Sequence, residues 1–276
     1  MSYGQTLLLG AVAGATIFAG LPMGRIHERG TKLKAFFSAT ATGILLFLFW
    51  DVLSGAVSPI ESALQASRWG PFSRYSAVAL VGFALGLLGL VYYQSWMKGR
   101  QRRTFLGPGA ASVQEYERAA LTRLSAAQWL AILIATGIGL HNFAEGLAIG
   151  QSAASDHLSL AVVLVIGFGL HNATEGFGIV APLAGDADRP SWKFLGLLGL
   201  IGGGPTFVGT VVGQAWVNET VSIAFLAVAA GSILYVVIEL LNVCRRFSSA
   251  ELTAAGIMLG LVLGFATDFV LVAAGV

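Results

Sequence analysis

Eight stretches of this chain are apolar for about 20 residues or more, long enough as helices to cross the hydrocarbon core of a bilayer. They cover about 5–24, 35–58, 75–97, 126–151, 158–183, 191–214, 219–243 and 251–275. Inside a bilayer no water is present to satisfy backbone N–H and C=O groups, so segments of this kind must be helical. Charged residues are 11% of the chain, against about a quarter in a soluble domain. The expected fold is therefore all-α: a polytopic membrane protein with eight transmembrane helices, forming one domain over residues 1–276. The connection over 98–125 is polar and basic, and is expected to be partly helical or disordered. The N-terminal Met-Ser-Tyr-Gly-Gln lacks the basic region of a cleavable leader.

The basic residues orient the bundle. With the N-terminus outside, 14 of the 16 Lys and Arg residues fall in the inner loops, and only Arg68 and Arg74 fall outside. The excess of Lys and Arg in cytoplasmic loops then places both termini on the extracytoplasmic side and the 98–125 loop in the cytoplasm. The run Lys98-Gly-Arg-Gln-Arg-Arg103 suits contact with anionic lipid. No basic patch is interleaved with aromatics, so nucleic acid is not an expected partner. The single cysteine, Cys244, excludes an internal disulfide and a Cys-based zinc site.

Two of the apolar stretches carry the same polar pattern, G-x-G-L-H-N-x-x-E-G-x-x-I. It runs from Gly137 through His141, Asn142, Glu145 and Gly146 to Ile149. It recurs from Gly167 through His171, Asn172, Glu175 and Gly176 to Ile179. Residues four apart share a helix face, so each His projects with its Glu. A short hairpin turning near Asp156 leaves His141 and His171 fifteen residues to either side, at equal depth. Two imidazoles and two carboxylates then converge in the membrane interior, where such groups are costly unless they do something. Nitrogen and oxygen donors in a tetrahedral set suit Zn2+, with Fe2+, Mn2+, Co2+ and Cd2+ compatible. The surrounding glycines allow close helix packing. Because the two copies lie on helices of opposite direction, the pattern is that of an inverted repeat around a central transport site.

These motifs, H-N-F-A-E-G and H-N-A-T-E-G, resemble those of the ZIP family of divalent metal ion transporters, in particular its prokaryotic branch. The resemblance implies Zn2+ uptake toward the cytoplasm across a prokaryotic plasma membrane, by a homodimer with no prosthetic group. It implies that His141, Glu145, His171 and Glu175 ligate the transported ion, with Asn142 and Asn172 where some members hold a second metal. It further implies a transport path past Asp51 in span 2, Glu239 in span 7 and Asp268 in span 8. Three departures stand out. Ala144 and Thr174 replace the motif proline. Gly204, before Pro205, stands where several relatives place a glutamate that completes a two-metal centre, so one dominant metal is expected. The 98–125 loop lacks histidine.

Two other functions fit the same four side chains: an intramembrane metal-dependent hydrolase and a proton-relay carrier. The duplicated motif supplies no separate base, nucleophile or oxyanion donor, and its order differs from the zincin H-E-x-x-H. A transporter, not an enzyme, is the expected function. No P-loop is present, as expected for transport without ATP.

Overall fold

A computed structural model describes residues 3–25, 31–104, 124–154, 158–185, 189–215 and 218–273. These residues form eight α-helices and no strand: α1 (Tyr3–Ala15), α2 (Thr31–Gln65), α3 (Trp69–Thr104), α4 (Ala126–Ala154), α5 (Leu158–Val180), α6 (Trp192–Ala215), α7 (Glu219–Phe247) and α8 (Ala250–Ala273). Among the described residues, seven segments are long and apolar enough to cross a membrane: α1 with its continuation to Arg25, α2, α3, α4, α6, α7 and α8. The helix α5, which carries the second motif copy, is 23 residues long.

The boundaries differ from the apolar windows where polar residues continue a helix. The helices α2 and α3 reach 35 and 36 residues. They extend past the hydrocarbon, where the polar ends of a helix find water or headgroups. Part of the 98–125 loop is thus the end of α3; residues 105–123 lie outside the described set, as does the hairpin turn around Asp156. Span 1 is α-helical only to Ala15 and then tightens into 3-10 turns, Thr16–Ala19 and Leu21–Arg25.

Side-chain hydrogen bonds join the helix ends pairwise. At one end Tyr75 donates to Glu219, Gln214 to Thr6 and Gln151 to Ser222, tying α3 to α7, α6 to α1 and α4 to α7. At the other end Arg25 donates to the Pro190 carbonyl and lies over the Trp192 ring. We call these the Tyr75 end and the Arg25 end.

The helices associate in two groups. In one, α4 lies along α6, while α1 contacts α5 and α6; in the other, α7 lies along α3 and α2 along α8. The groups meet where α4 crosses α7 and α2 crosses α5. Glycines let the backbones approach within a group. A Cβ built on Gly146 would stand 2.1 Å from the Thr206 carbonyl oxygen, and one on Gly209 would stand 2.1 Å from that of Phe143. Pro205 lies inside α6 and cannot bond the carbonyl four residues back, that of Ile201. Gly139 of α4 comes so close to this oxygen that a Cβ there would be 2.3 Å away. The Gly139 Cα–H thus meets the acceptor that the proline leaves open.

The packing repeats with an inverted two-fold relation. Asn142 donates to the Gly202 carbonyl, and Asn172 donates to that of Ala13. Gly146 abuts the Thr206 carbonyl as Gly176 abuts that of Ile17; Gly209 abuts the Phe143 carbonyl as Gly20 abuts that of Ala173. In each pair the numbers in α6 and in span 1 (α1 and its 3-10 continuation) differ by 189 (202 and 13, 206 and 17, 209 and 20), and α4 and α5 numbers by 30. Gly14 and Gly203, which also differ by 189, face each other's carbonyl at 2.3 and 2.1 Å from their built Cβ positions, so the axis passes between them. The other group obeys the same rule. Gly43 of α2 meets the Ile257 carbonyl as Gly231 of α7 meets that of Phe83; Gly260 meets the Thr40 carbonyl as Gly86 meets that of Val228. The described residues therefore build α1–α3 and α6–α8 as two inverted units around the α4–α5 pair.

Replacing Gly209 with Val puts a branched side chain against the Phe143 carbonyl. It is expected to destabilise the bundle by about 1–3 kcal/mol or more. Gly204→Ala, whose Cβ would meet nothing within 4 Å, is expected to be neutral or stabilising. Thermal unfolding midpoints in detergent compare the two.

Candidate metal centre

The mid-depth position of both motifs follows from the α4–α5 hairpin, and their rotation follows from the glycine faces. Gly139, Gly146 and Gly150 commit one side of α4 to α6, which turns His141 and Glu145 toward α5. Gly176, set against the Ile17 carbonyl and Gly20, does the same for α5. His141, Glu145, His171 and Glu175 are all buried, Glu175 and His141 completely.

Three of the four side chains, His141, Glu145 and His171, meet around one point, and Glu175 lies beside His141. Glu145 Oε1 lies 2.9 Å from His141 Nε2 and 2.5 Å from His171 Nε2. His141 Nε2 lies 3.7 Å from Glu175 Oε1. The imidazole centroids are 6.1 Å apart. One donor atom each from His141, Glu145 and His171 falls within 4.8 Å of the others, as a shared metal ion requires.

Several buried atoms here have no hydrogen-bond partner: Glu145 Oε2, both carboxylate oxygens of Glu175, and His141 Nδ1. Two carboxylates cannot satisfy one another when ionised, and leaving them bare in a low-dielectric interior is expensive. With neutral imidazoles the set carries a formal charge of −2, the complement of one divalent cation. Two nitrogens and two oxygens form the kind of donor set that zinc takes. The arrangement can strip water from a divalent ion and hold it between two helices.

The remaining sequence-derived positions divide. Asn142 and Asn172 sit beside the centre, and each donates one amide N–H to a carbonyl, that of Gly202 and that of Ala13; the amide oxygens are buried and unpartnered. They clamp each metal-bearing helix to its neighbour in the same group. Asp51 on α2 is exposed and Asp268 on α8 half-buried, and neither belongs to the cluster of donor atoms. Glu239 is half-buried on α7, one turn from Tyr235. Gly204 faces elsewhere. It lines an apolar cavity of about 730 Å3 with Gly139, Leu140, Phe143, Leu200 and Val208, and none of the four central side chains borders that cavity.

One buried hydroxyl went unnoticed in the sequence. Thr206 is completely buried with Oγ1 unpartnered. Helical threonines normally bond their own carbonyl one turn back, as Thr42 and Thr210 do. For Thr206 that acceptor is Gly202, which already receives Asn142. A lone threonine in an apolar helix carries no signal of this kind, because the competing amide comes from another helix.

Comparison with known proteins adds an independent line. The family model described as ZIP Zinc transporter matches residues 94–271. A protein named Zinc transporter ZupT from Shigella dysenteriae serotype 1 (strain Sd197) is 28% identical over 267 residues, covering 94% of each chain. Another of that name, from Escherichia coli O7:K1 (strain IAI39 / ExPEC), is 29% identical over 267 residues with the same coverage.

A histidine ligates a metal only as neutral imidazole, so protons compete with the ion. Apparent zinc affinity of the purified protein is expected to fall as pH drops below about 6 and to plateau well above the ordinary histidine pKa of about 6.5. Titration calorimetry at several pH values measures this.

Proposed function

The chain belongs to the ZIP zinc transporter family, and from that footing we propose that it takes up Zn2+ through the centre formed by His141, Glu145, His171 and Glu175. It is a membrane transporter of divalent metal and not an enzyme. The observation that carries the site assignment is the set of buried, unpartnered carboxylate oxygens beside two imidazoles, a set with the donors and charge for one divalent cation. Zn2+ is the principal cargo, and Fe2+, Mn2+, Co2+ and Cd2+ share enough ligand chemistry to compete. A charge of −2 balances one divalent ion, so the centre holds one metal.

The Tyr75 end is extracytoplasmic and the Arg25 end cytoplasmic. The distribution of Lys and Arg supports this orientation, and with it both termini outside. The membrane is the inner membrane of a prokaryotic cell, and the assembly is a homodimer, as the resemblance implies. Movement of a divalent cation into a negative-inside cell gains about 4.6 kcal/mol per 100 mV, enough to drive roughly a thousandfold concentration ratio without ATP. The division into two helix groups that meet along α4/α7 and α2/α5 supports alternating access, with one group rocking against the other.

The double variant His141→Ala, Glu145→Ala removes one imidazole and the carboxylate shared by both. Zinc uptake into proteoliposomes is expected to fall to the protein-free rate while the protein remains folded and membrane-inserted. Uptake of radioactive zinc at the wild-type rate would overturn the assignment.

A further inference from the structure

The two helix groups are tied together unequally at their two ends. The hydrogen bonds from Asn142 to Gly202, Asn172 to Ala13, Gln214 to Thr6, Arg25 to Pro190 and Tyr75 to Glu219 all stay inside one group. The bond from Gln151 Nε2 to Ser222 Oγ, 3.2 Å long and half-buried, runs instead from α4 to α7. It crosses the seam between the groups, and it does so at the Tyr75 end.

The inverted relation shows what stands at the other end of that seam. The offset of 30 between α4 and α5 holds out to Gly150 and Val180. A Cβ on Gly150 would meet the Gly213 backbone at 2.9 Å, and one on Gly24 would meet the Val180 Cβ at 3.0 Å. Between α7 and α2 the offset is 188: Ala224, Ala227 and Val228 meet Gly82 as Phe36, Ala39 and Thr40 meet Gly256. The counterpart of Gln151 is therefore Ala181, and that of Ser222 is position 34 of α2. Ala181 is buried and has no side-chain donor or acceptor. The backbones differ as well. The helix α4 continues through Gln151 to Ala154, whereas α5 ends at Val180 and Ala181 begins a 3-10 turn. The glutamine that bridges the seam at the Tyr75 end has no equivalent at the Arg25 end.

Resting on the transport reading above, we propose that the Gln151–Ser222 hydrogen bond latches the outer side of the seam, and that its missing inner counterpart biases the protein toward the state open to the cytoplasm. Opening the central site outward parts α4 from α7 at the Tyr75 end and breaks this bond. Opening it inward parts α5 from α2 at the Arg25 end, where Ala181 offers no such bond to break. The outward-open state is then the minor one. Apparent affinity for external zinc is reduced by the fraction of molecules in that state. Removing the latch therefore improves the capture of external zinc.

The test uses the full-length protein in proteoliposomes sorted by orientation, with the KM for zinc measured at each face. Ser222→Ala and Gln151→Leu each remove one partner of the bond. The net worth of one neutral hydrogen bond shifts a two-state equilibrium by about two- to tenfold. Each variant is expected to lower the outer KM by about that factor, with a much smaller change in the inner KM. The double variant is expected to match either single one, because both remove the same bond. Ser222→Thr keeps the hydroxyl and is expected to hold the wild-type value. Equilibrium zinc binding by each purified variant checks that the central site is intact. An outer KM that is unchanged or raised in the single variants, or that falls additively in the double, would overturn the latch while leaving transport intact. A wild-type protein with no zinc flux in either direction would instead remove the transport reading, and the latch with it.

Discussion

Two carboxylates and two imidazoles enclosed where water is scarce form the constraint around which the molecule is arranged. Each carboxylate oxygen left without a donor costs desolvation energy that the surrounding helices do not return. The bundle accepts this cost at a single depth, where α4 and α5 face one another. Charge neutrality then asks for a divalent cation, and the mixture of ring nitrogen and carboxylate oxygen asks for one of the zinc type. Much of the remaining polar chemistry serves that arrangement. Asn142 and Asn172 hold the two helices to α6 and α1, and Thr206 gives up its usual acceptor so that Asn142 can do so.

The glycines make the arrangement possible twice over. Carbonyl-to-glycine contacts at Gly146 and Gly209, and at Gly176 and Gly20, press one backbone against another with no side chain between them. The same contact pattern recurs across α2/α8 and α3/α7. Packing is dense within each group, and the two groups meet along α4/α7 and α2/α5.

The sequence exposed the central site more fully than it exposed the scaffold. The repeated H-N-x-x-E-G, the equal depth of His141 and His171 and the sharing of one face by each His and Glu were all readable, because they depend only on local helical spacing. The overlong α2 and α3 were less so: hydropathy marks the hydrocarbon-matched part of a helix and is silent about its polar extensions. The break in span 1 after Ala15 carries no proline or charge at the break itself. The roles of the asparagines could not be read, since their partners are backbone carbonyls far away in the chain. The inverted relation between α1–α3 and α6–α8 was hidden for a similar reason. It lives in which glycine meets which carbonyl, and such a contact tolerates Phe36 opposite Ala224 or Thr40 opposite Val228 without loss. Gly204 shows the limit of motif alignment, for its Cα faces an apolar cavity away from the four central residues.

Zinc K-edge X-ray absorption on the purified, zinc-loaded protein tests the central claim most directly, because it reports the atoms that touch the ion. The account predicts a four-coordinate shell of nitrogen and oxygen at about 2.0–2.1 Å, with outer-shell scattering from two imidazole rings and none from sulfur. A shell of water oxygens without imidazole scattering, or one containing sulfur, would contradict it.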